Sequence, residues 1–104
     1  MEQTQAKEIA NQLFEIEKKI KDSSLEKGIQ RNINRIKTQL EASGYHYHDP
    51  LGEAYDITRL DCEAMVAGEH ADQLRIVEVI KPIIYSNDGG NMIIQKAIVV
   101  TEGR

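Results

Sequence analysis

The hydrophobic pattern changes period once, at Gly44, and that change restricts what the chain can fold into. Before Gly44 apolar residues recur every three or four positions; after it they alternate or gather in short β-branched blocks. Two helices followed by a small β domain is the architecture this predicts, an α+β chain with residues 1–44 as a helical hairpin and 45–104 as an all-β unit. With 104 residues it can bury only a modest core, so a large enzyme with a separate cofactor domain is excluded.

Ile9, Leu13, Ile16 and Ile20 line one face of a helix predicted from Gln5 to about Asp22, widened by Ala10 and Phe14. Ser23 and Glu26 have capping-box spacing, which predicts a second helix starting there. Its stripe is Leu25, Ile29, Ile33, Ile36 and Leu40, and Gly44 stands where a left-handed C-terminal residue is wanted. Gly28 costs this helix about 1 kcal/mol relative to alanine, and a close helix contact would explain it. A hairpin with two narrow stripes leaves one side of its seam open. The economical cover is a second copy, so Ile9, Leu13, Ile16, Ile20, Ile29, Ile33, Ile36 and Leu40 are the expected dimerisation residues of a four-helix bundle. The alternative is that the hairpin packs on its own β half.

Strands are predicted at Tyr45–His48, Cys62–Ala67 and Leu74–Ile80. Pro82 places Ile83–Tyr85 at an edge or after a bend. Ser86 to Asn91 carries Asp-Gly and Gly-Gly, the strongest hairpin signal in the chain. A long last strand is expected from Met92 to Thr101, with Met92, Ile94, Ile98 and Val100 on one face and Lys96 as its exception.

The net charge of −4 is uneven: residues 1–44 hold seven acids and eight bases, residues 45–104 ten acids and five bases. An acidic β half disfavours nucleic acid and suits a protein partner. The single cysteine, Cys62, makes no internal disulfide, and the N-terminus is polar, so a reducing, cytoplasmic setting without a membrane span is expected.

Candidate chemistry is sparse. His46 and His48 fall on one side of a strand and could present two imidazoles to a metal, but no complete ligand set accompanies them, whether from Asp49, Asp61, Cys62, Glu63 or His70. Cys62 lacks a nucleophile elbow and reads as a small buried hydrophobe. Asp88-Gly89-Gly90 lacks the Lys-Ser/Thr of a phosphate loop and reads as a turn. Glu53, Asp56, Asp61 and Glu63 read as a solvated acidic face, with Tyr55 as an anchor and Asp56 as a turn former. No cofactor and no catalytic residue is expected.

The order of elements resembles the C-terminal two-thirds of the GrpE family. EKGIQRNINRIKTQLEASGY (Glu26 to Tyr45) is similar to its last bundle helix, AYD (Ala54 to Asp56) to its Phe-Asp-Pro step, and CEAM (Cys62 to Met65) to its His-Glu-Ala-Val segment. IVEVIKP (Ile76 to Pro82) and IIQKAIVVTEG (Ile93 to Gly103) are similar to its two closing strands. The long N-terminal stalk of the family has no counterpart in these residues. Ile57, Cys62, Pro82-Ile83 and Gln95 depart from the family's Pro, His, Gly-Tyr and Arg. The resemblance implies a homodimeric nucleotide exchange factor, a co-chaperone of protein folding and the stress response, whose β domain docks on the nucleotide-binding domain of a DnaK-type chaperone and releases ADP. Lys81, Tyr85, Asn91 and Gln95, polar or amphipathic residues near the closing strands, are the expected contacts. The competing expectations are a dimeric adaptor without exchange activity and a small metal-dependent enzyme built on His46 and His48.

Overall fold

A computed structural model describes residues 1–67, 73–87 and 90–103, with the side chains of residues 66 and 67 left aside. The chain is α+β: helices α1 (Gln3–Ile20) and α2 (Glu26–Ala42), then strands β1 (Tyr45–His48), β2 (Ala54–Tyr55), β3 (Cys62–Ala67), β4 (Leu74–Lys81), β5 (Ile83–Ser86), β6 (Met92–Gln95) and β7 (Ala97–Gly103). His70 and the Asp88-Gly89 pair lie outside the described residues.

Both helices form where the apolar period is 3.6, and α2 ends as expected: Gly44 takes φ +93° and donates its N–H to the Glu41 carbonyl. The start of α2 differs from the expected capping box. Asp22 adopts φ +62° and ends α1 early, and the Ser23 hydroxyl then closes the inter-helix turn. It donates to the Ile20 carbonyl at 2.6 Å and accepts the Leu25 N–H at 3.3 Å, leaving Leu25 as an N-cap without a side-chain bond. Nor does Gly28 make room for a neighbour, since a Cβ there would meet nothing within 4 Å.

The strands form a three-stranded sheet in the order β1-β5-β6 and a four-stranded sheet in the order β2-β4-β7-β3, antiparallel except for β3 beside β7. The expected long last strand is in fact divided. At Lys96 the chain leaves the first sheet and enters the second, and Pro82 does the same on the neighbouring strand. The segments 74–86 and 92–103 are thus one bent hairpin whose halves recruit different partners. The bend also changes the buried face: Ala97, Val99 and Thr101 point inward, while Ile98 and Val100 are half-buried and Met92 is exposed.

Two cores result, one on each face of the three-stranded sheet. Ala6, Ala10, Leu13, Ile20, Ile33 and Leu40 of the hairpin pack on Tyr45 and Ile84, with Ile9 and Ile29 at the margin. On the opposite face Ile83 joins Cys62, Ile76, Val79, Ala97 and Val99 of the four-stranded sheet, and Phe14 reaches into this second core from α1. Much of the helical stripe is therefore covered by the chain's own strands. Leu13, Ile20, Ile33 and Leu40 are buried within one copy, whereas Ile16 and Ile36 remain 39% and 45% exposed.

Candidate partner-binding surface

The bend between the sheets is held by an amide, not by the ladder alone. Pro82 offers no N–H there. The Gln95 amide nitrogen donates to the Pro82 carbonyl at 3.0 Å and to the Asn11 side-chain oxygen at 2.9 Å, while Asn11 donates back to Gln95 at 3.0 Å. Gln95, expected as a partner contact, is thus the staple joining α1 to the bend.

Lys81 is exposed beside this corner, opposite Ile98 in the ladder. Directly opposed residues share a sheet face. The outer face of the four-stranded sheet therefore carries one row of Glu63, Ile98 and Lys81 and another of Met65, Val100 and Glu78. Half-buried aliphatics lie at its centre and charged groups around them, the composition of a protein-binding patch. Tyr85 points the other way, toward the second core, where its ring stacks on His46 at 4.8 Å between centroids and burial raises its hydroxyl pKa. Asn91 is exposed before β6, four residues from Gln95 and roughly 13 Å along the strand. The four expected contacts do not form one patch: Lys81 is on the outer sheet face and Gln95 is bonded to α1, both near the corner, while Tyr85 and Asn91 lie apart.

His46 and His48 share a strand side but engage different neighbours. His46 is stacked on Tyr85, and His48 Nε2 lies 2.5 Å from Glu53 Oε2. Among the described residues no group of three or more His, Cys, Asp or Glu side chains could hold a metal. Cys62 is buried, and burial pushes its thiol up to about 11, which keeps it protonated and unreactive at neutral pH.

Two polar networks escaped the sequence reading. In the first, Glu17 of α1 accepts hydrogen bonds from the Tyr47 hydroxyl of β1 and, at 3.0 Å each, from Gln30 and Lys37 of α2. Burial alone would push the Glu17 carboxyl up; these bonds and the Lys37 charge outweigh it and hold the pKa below the usual range. Burial, and then the Glu17 bond and charge, raise the Tyr47 hydroxyl far above its ordinary value. The network borders a cleft of about 620 Å³ between the hairpin and β4, where Lys18 donates to the Val79 carbonyl at 2.9 Å. Lysines and carboxylates alternate around this cleft, so it favours neither sign of ligand.

The second network lies between β2 and β3. Arg59 donates to Asp61 at 2.6 and 3.3 Å, to Glu53 at 2.6 Å and to the Ala54 carbonyl at 2.9 Å. The Asp61 bonds hold that carboxyl below its usual range, and the guanidinium itself is driven further into its charged form. Asp56 accepts both the backbone N–H and the hydroxyl of Thr58, fixing the turn.

Among the described residues no helix is long and apolar enough to cross a membrane. No protein-family model matches the chain, and no curated protein or solved structure gives a significant match.

Proposed function

We propose that the chain is a GrpE-type co-chaperone, acting in the cytoplasm, that promotes ADP release from a DnaK-type chaperone by docking its β half on the nucleotide-binding domain. One observation carries the reading. The stretches that resemble the family's closing strands, Ile76 to Pro82 and Ile93 to Gly103, lie in the two arms of the bent hairpin, whose outer face presents Ile98, Val100 and Lys81 beside Met65 of β3. Exchange needs no covalent chemistry. A surface that binds the open nucleotide cleft more tightly than the closed one shifts the population toward release, by as much as its affinities for the two states differ. The corresponding experiment is release of labelled ADP from a DnaK-type chaperone of the same organism. Acceleration on adding the protein is expected, and an unchanged rate would contradict the reading.

The active unit in this proposal is a homodimer. Ile16 and Ile36, left exposed after the β half has covered the rest of the stripe, provide the apolar residue of a helix-to-helix contact, with Ile9 and Ile29 half-buried on the same hairpin. Ile16→Asp combined with Ile36→Asp is expected to halve the mass in sedimentation equilibrium without unfolding the chain. A wild-type monomer would exclude the dimer.

A second reading is favoured by one side chain. Gln95 stands where the family carries arginine, and its amide is committed to Pro82 and Asn11. A dimeric adaptor that binds a protein through the same face without exchanging nucleotide fits that commitment. Binding to the chaperone without faster ADP release is its signature.

A further inference from the structure

The turn from Asp56 to Asp61 inverts the usual placement of polar and apolar groups. Its polar side chains are engaged: Asp56 with Thr58, Arg59 with Glu53, Asp61 and the Ala54 carbonyl. Its two aliphatic side chains project into solvent, Ile57 at 91% exposure and Leu60 at 77%. An isolated exposed leucine needs no explanation, but two large aliphatics held outward by a hydrogen-bonded turn form a rigid apolar projection. The Arg59 N–H bond to the Asp56 carbonyl at 3.1 Å closes the turn beneath them. Around the projection the carboxylates of Glu53, Asp56 and Asp61 face one guanidinium, Arg59, and one imidazole, His48 beside Glu53, so carboxylates outnumber permanent cations there.

We infer that Ile57 and Leu60 are the paired anchors of a preformed docking turn, whose occupant is an apolar recess rimmed by lysine or arginine on the nucleotide-binding domain of the proposed chaperone. The inference rests on the exchange-factor reading and adds to it a contact outside the open sheet face. Apolar anchors supply the affinity of such a contact by filling a desolvated pocket, and the acidic surround selects a basic rim and speeds encounter. The same charge disfavours an anionic membrane, which would otherwise suit two exposed aliphatics. Because Arg59 already fixes the turn, little ordering accompanies binding.

The test compares wild type, Ile57→Ser combined with Leu60→Ser, and Arg59→Gln, in calorimetric titration against the chaperone's nucleotide-binding domain at low and high salt. Both anchors are solvent-exposed, so the double variant should melt with the wild type. Its affinity should fall about tenfold or more, and wild-type affinity should weaken as salt rises. Arg59→Gln, which keeps the anchors but loosens the turn, should lose a smaller part. If wild type binds and accelerates ADP release while the double variant matches it, the docking turn is overturned and the exchange reading stands. If wild type does not bind, both fall together. Sedimentation with vesicles of phosphatidylcholine and phosphatidylserine is expected to leave the protein in solution; pelleting that depends on Ile57 and Leu60 would assign the projection to a membrane instead.

Discussion

Glu17 and Arg59 each stand at the centre of a network of charged hydrogen bonds, yet the two networks do opposite work. Around Glu17 of α1 the partners come from two other elements, Gln30 and Lys37 of α2 and Tyr47 of β1, and the carboxylate welds the hairpin to the first sheet. Around Arg59 the partners lie within six residues of it, and the network shapes a single turn. Similar chemistry thus serves as a joint in one place and as a support for exposed side chains in the other. Sequence separation is the difference: long-range bonds restrict how elements pack, and short-range bonds restrict what a loop displays.

Mutation should separate the two. The largest loss is expected at the joint's apolar part, where Phe14 enters the second core one helical turn from Lys18, whose ammonium lies 5.3 Å from its ring. Phe14→Ala should cost about 3–5 kcal/mol in urea unfolding. Glu17→Ala comes next, at about 1–3 kcal/mol, because Tyr47 and Lys37 lose their acceptor while part-buried. An equal loss from Arg59→Ala would show that the two networks carry the same weight in the fold.

Acid sharpens the difference. The folded Glu17 carboxyl titrates below its unfolded value of 4.5, so its contribution is complete above that pH and disappears as pH falls through the folded pKa. The stability of wild type should therefore drop below about pH 4.5 more steeply than that of Glu17→Gln, measured as the urea midpoint against pH. The smallest effect belongs to Arg59→Ala. Arg59 is itself part-buried, but its bonds tie together one turn rather than two packed elements and contribute about 1 kcal/mol, so the melting curve should move less than for Glu17→Ala while the turn gains mobility, read as faster amide exchange at Thr58 and Arg59.

The helices, Gly44 and most of the strands could be read from period alone, because each is specified by neighbours three, four or two positions away. Lys96 could not. Apolar residues run on both sides of it with little interruption, and only the pairing of β6 with β5 and of β7 with β3 and β4 reveals that the strand changes sheets. Bulges between Ile76 and Glu78 and between Val79 and Lys81 shift the inward phase of β4 in a way simple alternation does not anticipate. Of the candidate surface, Lys81 was accessible to sequence reasoning. Gln95 stands out in the sequence only as a candidate contact; its bond to Asn11 is not legible there, because the two lie 84 residues apart. Ile57 stands out in the sequence as a departure from a family pattern, but its exposure reverses the rule by which hydrophobic residues are read as core.

The proposed function requires this fold to open the nucleotide cleft of a DnaK-type chaperone. Stopped-flow release of fluorescent ADP, with wild type and the Ile57→Ser, Leu60→Ser double variant side by side, tests it most directly. Faster release with wild type and a much smaller effect from the variant are expected; a release rate that wild type leaves unchanged would rule out the exchange function.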